Sequence, residues 1–281
     1  MSAVDSNARQ LAGQCAVPIE TVRTERFSMR YFRFGQGPGS LVILPGLSVQ
    51  SVMDSARAVA GAYAEMTGAF TVTVFDRREE VPENYSVRDM AEDTARAMEV
   101  LGMSGVCLFG ASQGGMIAML IAAEHPGLVS RLALGSTAAS VDADPPGPLR
   151  EWVRLAEEGD AEGLYLSFGK AVYPEAVFDQ IRGTLLEAAG TVTPEELARF
   201  VRLARGPAGF DARDRISAIR CPVLVLASED DRVLGPDASV GLARIFGGRP
   251  DFSMHTWSGY GHAAYDTAPD YREKLLRFFT E

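Results

Sequence analysis

Residues 106–121, VCLFGASQGGMIAMLI, constrain this chain more than any other stretch. Val106–Phe109 reads as a short, wholly apolar strand, which suits burial on both faces. Met116–Ala123 reads as an apolar helix directly after it. Between them stand Gly110, Ser112 and Gly114. A strand that becomes a helix within a few residues brings two backbones close together, and glycines remove the side chains that would collide there. The serine hydroxyl then stands clear of the sheet, facing the free N–H groups and positive dipole end of the new helix. In that setting Gly-x-Ser-x-Gly reads as a nucleophile elbow rather than as a glycine-rich turn with a capping serine.

The flanking sequence carries the same rhythm. Val17–Val22 and Phe27–Phe34 alternate as edge strands, and Leu41–Leu44, Phe70–Phe75 and Val129–Leu134 read as further strands. Helical patterns cover about 51–66 and 86–101, the second with Ser86 as N-cap. The alternation breaks near 137, and Asp142–Pro148 is a breaker cluster. Helical patterns alone follow, at about 149–157, 160–171, 174–189 and 194–205. Strands resume at 222–226 and 252–257, with helices near 237–246 and 267–279. The fold class expected is therefore α/β, a mostly parallel doubly wound sheet with an inserted all-helical cap. The expected division is a core at 17–137 and 209–281, a helical cap at 138–208 and an N-terminal extension at 1–16.

Composition excludes several classes. A net charge of −10 argues against nucleic acid or an anionic membrane as partner, leaving a small molecule, with the protein itself a monomer or homodimer. The longest apolar run, Met116–Ala123, is too short to span a bilayer. No signal peptide is legible before Cys15, so a cytoplasmic protein is expected. Cys15, Cys107 and Cys221 have no metal-ligand spacing, and the latter two read as small buried apolar residues. Gly35, Gly37 and Gly39 precede a strand instead of following one, so they form no dinucleotide site; no cofactor and no metal are expected.

A serine nucleophile needs a base, and the chain has only 3 histidines. His125 ends the helix after Ser112, and His255 lies within a strand. His262, in SGYGH just after the last strand, sits where such sheets place their chemistry. The orienting acid is sought after the strand 222–226, in Glu229-Asp230-Asp231. Counting from the strand end favours Asp231, with Asp230 the fallback and Glu229 third. The oxyanion donors expected are the backbone N–H groups of Gln113 and Leu47, each contributing about 3 kcal/mol to the transition state. Asp76 is expected to brace its own loop, with Arg77, Arg78 and Glu79 candidates for the pocket mouth. Of Trp152, Tyr165, Phe168, Tyr173 and Phe178, one or two are expected to line a pocket above Ser112.

With LPG at 44–46, FDRR at 75–78, GASQGG at 110–115, LVLASEDD at 224–231 and GYGHAAYDTAPD at 259–270, the chain resembles the α/β-hydrolase superfamily over nearly its whole length. It is similar to the small bacterial group of 3-oxoadipate enol-lactonases, non-haem haloperoxidases and carboxylesterases. It departs at Pro45, where His is common, at Ser228, where Gly is common, and at Glu79, where Gly follows the Asp-x-Arg. The resemblance implies cleavage of a carboxylic ester, thioester or lactone through an acyl-enzyme. The same triad also serves carbon–carbon hydrolysis and aminopeptidase-type amide cleavage, for which Glu157, Glu158, Asp160 and Glu162 are candidate amine-holding acids. A non-enzymatic binding module on the same fold is the third reading. The related dehalogenases and epoxide hydrolases carry aspartate where this chain has Ser112.

Overall fold

The computed structural model of the protein describes residues 16–144 and 147–281. The expected N-terminal extension lies almost wholly outside the described residues, as do Cys15 and part of the breaker cluster. The strands are β1 (Ile19–Arg23), β2 (Ser28–Phe34), β3 (Gly39–Leu44), β4 (Phe70–Arg78), β5 (Val106–Ala111), β6 (Val129–Gly135), β7 (Val223–Ser228) and β8 (Phe252–Trp257). They form one 8-stranded sheet in the order β1-β2-β4-β3-β5-β6-β7-β8. β2 pairs antiparallel with both β1 and β4, and every pairing from β4 through β8 is parallel. β5 and β7 are buried along their whole length, as their unbroken apolar sequences require.

The helices are α1 (Ala56–Ala62), α2 (Val87–Val100), α3 (Gln113–Glu124), α4 (Pro148–Glu157), α5 (Ala161–Val172), α6 (Glu175–Ala189), α7 (Pro194–Arg205), α8 (Arg213–Ile216), α9 (Asp237–Phe246), α10 (Ala264–Thr267) and α11 (Tyr271–Thr280). On one sheet face Met90, Ile117 and Phe246 pack against Leu108, Leu132 and Val225. On the other, Tyr271, Leu275 and Phe279 pack against Phe32, Phe109 and Leu226. α3 is buried on all sides from Gln113 to Ala122, so its sequence has no polar stripe. Two helices differ from their expected extents. The 51–66 segment is a short α1 between 3-10 turns at Val52–Ser55 and Ala64–Met66. The last helix, expected from about 267, begins only at Tyr271 as α11, after Pro269, which cannot donate to a helical ladder; α10 is a separate turn before it.

α4 to α7 leave the sheet after β6 and return before β7. Their neck is closed by an antiparallel bridge between Ser140 and Asp211. Trp152, Leu164 and Phe200 form their core, which reaches Val49 and Ala263 on loops of the sheet's carboxyl edge. α7 is well nucleated: Pro194 takes its first position, and Thr193 with Glu196 forms a capping box. The helical insertion therefore sits over the strand ends, where ligands of such sheets bind.

Candidate active site

The strand-to-helix turn is as tight as its glycines imply. Ser112 has φ 52 and ψ −122, a conformation costly for a residue with a side chain. Its N–H donates to the Gly135 carbonyl at 2.8 Å, and Thr137 Oγ1 donates to the Ser112 carbonyl at 2.7 Å. A Cβ on Gly110 would overlap the Gly114 carbonyl, and one on Gly114 would overlap that of Leu44. Gly114→Ala is expected to destabilise the protein by about 3 kcal/mol or more, measured by chemical denaturation, because backbone rather than a mobile side chain blocks the methyl.

β7 and β8 lie side by side, so the loops after them can meet. His262 and Asp231 are both buried, and His262 Nδ1 stands 2.8 Å from Asp231 Oδ2. Asp231 Oδ1 accepts the N–H groups of Val233 at 2.8 Å and Leu234 at 3.0 Å. The carboxylate is thus fixed on both oxygens. Asp230 has a different task. It accepts Gly259 N–H and Gly261 N–H, each at 3.0 Å, and the Ser228 hydroxyl at 2.9 Å, which pins the loop that carries His262. Ser228 therefore has a use that a glycine there would lack. Those bonds hold the Asp230 carboxyl below its ordinary range, although its partial burial pushes the other way. Glu229 is exposed. Burial lowers the pKa of His255, which lies edge-on to Trp257 in β8, and His125 faces Glu92 and Glu99.

Ser112 lines a small cavity together with Leu47, Gln113, Trp152, Val233 and Leu234. The two residues whose amides hold Asp231 thus share a wall with the serine. Ser112 Oγ and His262 Nε2 are not hydrogen-bonded to each other, and neither has another hydrogen-bond partner among the described residues. The Leu47 and Gln113 N–H groups also have no partner among the described residues. Gly46 lies against the Ser112 side chain: a Cβ there would come within 3.1 Å of Ser112 Cβ.

Behind this turn lies an arrangement that sequence reasoning missed. Arg77, expected near the pocket mouth, is buried. Its Nη2 donates to the Pro45 carbonyl at 2.8 Å and to Gln113 Oε1 at 3.2 Å. Gln113 Nε2 continues to the Leu203 carbonyl of α7 at 2.7 Å. One guanidinium therefore ties the loop before Leu47 to the side chain of Gln113. Burial lowers the pKa of Arg77 to about 10, with Asp76 opposing the fall, so it remains a cation at neutral pH. Asp76 braces more than its own loop: it accepts Arg77 N–H at 2.7 Å, Ser51 Oγ at 2.5 Å and Arg199 of α7 at 2.9 Å. Arg78 and Glu79 instead pair with Asp93 and Arg30, away from the turn. The strand expected at Phe70–Phe75 runs on to Arg78, and this extension carries the Arg77 charge inward.

Of the aromatic residues of the insertion, Tyr165, Phe168 and Tyr173 line a larger neighbouring cavity, and Trp152 lines the one at Ser112. Phe178 packs beneath Gly169. Cys107 is buried while Cys221 is only half-buried, and burial raises both thiols. No group of three or more metal-ligating side chains occurs among the described residues, and no described helix is long and apolar enough to cross a membrane.

Comparison with known proteins agrees with this fold. At 25% identity the chain is similar to "Putative carbamate hydrolase RutD" of Agrobacterium fabrum, over 74% of this chain and 82% of the relative. It is 26% identical to a 2-hydroxy-6-oxononadienedioate/2-hydroxy-6-oxononatrienedioate hydrolase of a Pseudomonas species, over 67% of this chain and 68% of that one. Among solved structures, the enol-lactonase of Burkholderia xenovorans LB400 superposes with a TM-score of 0.79 at 17% identity, covering 93% of this chain and all of that one (100%). The profile of the alpha/beta hydrolase family matches residues 41–272, which is most of the sheet and the whole insertion, and the chain belongs to that family.

Proposed function

We propose that the protein is a serine hydrolase that cleaves small carboxylic esters, thioesters or lactones through an acyl-enzyme on Ser112. One observation carries this reading. Asp231 holds His262 with one oxygen and the Val233 and Leu234 amides with the other, and Val233 and Leu234 line a cavity with Ser112. With its Nδ1 proton directed at Asp231, the imidazole offers the lone pair of Nε2 as a base. The Ser112–His262 hydrogen bond forms as substrate enters, since such bonds are commonly long before it does.

In the first step Ser112 Oγ attacks the acyl carbon, His262 takes its proton, and the carbonyl π pair moves to oxygen. The N–H groups of Leu47 and Gln113 receive that oxyanion. The tetrahedral species collapses, the bond to the leaving group breaks, and His262 returns its proton to the departing oxygen or sulfur. Water then gives a proton to His262 and attacks the acyl carbon, which releases the acid and restores Ser112. Ester, lactone and carbamate cleavage share this addition to an acyl carbon, so the names of the carbamate hydrolase and the enol-lactonase accord with it.

The alternatives draw less support. The acids that an aminopeptidase would need in the insertion are otherwise engaged: Glu157 with Arg205, Glu158 with Arg154, and Asp160 as an N-cap, leaving Glu162 in the first turn of α5. The Pseudomonas relative is named as the hydrolase of a dioate, a doubly negative substrate. The cavity here that could hold an acyl group has Asp54 and Asp266 on its wall. A fluorophosphonate probe is expected to label Ser112 in the native protein and to leave Ser112→Ala unlabelled, read by mass spectrometry of the modified peptide. Folded native protein that resists the probe would count decisively against the reading.

A further inference from the structure

Beside the Pro45–Ser48 loop and Ala111 lies a cavity of about 420 Å³. Most of its wall is apolar, with Val59, Phe109, Phe168 and Val172 among the contributors. Its charged residues are Asp54 and Asp266; no arginine, lysine or histidine lines it among the described residues. Asp266 follows the loop of His262 and begins no ladder of its own, since α10 is a single turn. Its Oδ2 accepts the Tyr173 hydroxyl at 3.3 Å. Its Oδ1 has no hydrogen-bond partner among the described residues. The Arg272 guanidinium is 3.9 Å from Oδ1, outside the cavity lining and over the ring of Tyr63. That offsets part of the charge without supplying a hydrogen bond. The Asp266 side chain is 45% accessible to water, yet the protein packed around it still raises its carboxyl, with Arg272 and Tyr173 acting against the rise.

The contents of such a cavity are set by that open oxygen. A purely hydrocarbon ligand would displace water from Oδ1 and leave it unpaired, which is unfavourable. A carboxylate ligand would add a like charge beside Asp54 and Asp266. An ammonium supplies the missing donor and the opposite charge, while its alkyl chain covers the apolar wall. We propose that this cavity recognises a primary amine borne on an apolar chain, with Asp266 as the specificity-determining residue, and that it excludes carboxylate-bearing ligands. The inference rests on the hydrolase reading only for its consequence, that the amine belongs to the acyl or leaving group of the substrate cleaved at Ser112.

Calorimetric titration with hexylamine and hexanoate at pH 8 and low salt tests it without requiring turnover. The native protein is expected to bind hexylamine at least about tenfold more tightly than hexanoate. In Asp266→Asn that ratio is expected to fall towards one, with the fold checked by thermal denaturation. Equal affinity for the two probes, no hexylamine binding at tens of millimolar, or an Asp266→Asn protein that keeps the native ratio would each overturn the proposal. The native protein alone suffices for the first two outcomes, so a variant that misfolds does not shelter it. If the amine preference holds while fluorophosphonate fails to label Ser112, the hydrolase reading falls and the amine site stands. Labelling without the preference gives the reverse.

Discussion

Asp231→Asn is expected to lower kcat for a p-nitrophenyl ester by roughly 10⁴-fold while leaving the thermal midpoint nearly unchanged. The asparagine keeps Oδ1 for the Val233 and Leu234 amides, so the loop after β7 retains its hydrogen bonds. The amide nitrogen then faces His262 Nδ1, where the carboxylate oxygen stood at 2.8 Å. An NH₂ group donates, so Nδ1 must become the acceptor and the ring proton moves to Nε2. In that tautomer the imidazole cannot take a proton from Ser112, and no anion stabilises its cation. His262→Ala is expected to cost at least as much, and the double variant no more than the worse single one, because the two residues act as a unit. The Asp230→Asn control addresses the fallback acid. Asp230 holds Gly259, Gly261 and Ser228, so its loss is expected to loosen the loop and lower stability rather than to abolish proton transfer. An Asp231→Asn enzyme within tenfold of native activity would remove Asp231 from the relay.

The second large effect concerns Arg77. Arg77→Met is expected to destabilise the protein by about 3–5 kcal/mol, because it deletes a buried cation whose partners stay behind. Pro45 O and Gln113 Oε1 lose their donor, and Asp76 loses a neighbouring positive charge in a buried setting. For a chain of this size that corresponds to a fall of roughly 6–10 °C in Tm. The same change frees the loop carrying Leu47 from the residue carrying the second amide, so kcat is expected to fall by roughly 10²-fold. Arg77→Lys retains the charge but not the forked geometry, and is expected to recover most of the stability and less of the rate. Recovery of both to the native level would show that charge alone matters there.

Much of the sheet was legible in the chain because it is built from local signals. Short apolar runs rich in β-branched residues, such as Val223–Leu226, read as strands buried on both faces, and the change from alternation to helices alone near 137 marked the insertion. The glycines at 110 and 114 announced a close backbone approach, and the structure supplies the colliding partners, the carbonyls of Gly114 and Leu44. The break in the 51–66 helix was harder to foresee, and the last helix starts later than expected. The 3-10 turns follow from how that segment leaves the sheet, which periodicity does not record, whereas Pro269 stood in the sequence as a signal against a helix beginning at 267.

By itself, the sequence determined the turn that strains Ser112 and the helix that begins beside it, because both follow from residues within a few positions of one another. It also limited the base to a handful of candidates by the scarcity of histidine. Tertiary structure alone decided that Asp231 and not its neighbour meets His262, that Arg77 turns inward behind Pro45 and Gln113, and that Asp266 faces a cavity. Each of those outcomes depends on which strands lie adjacent and how the loops between them travel, and contacts between residues distant in the chain leave no local trace in composition or period.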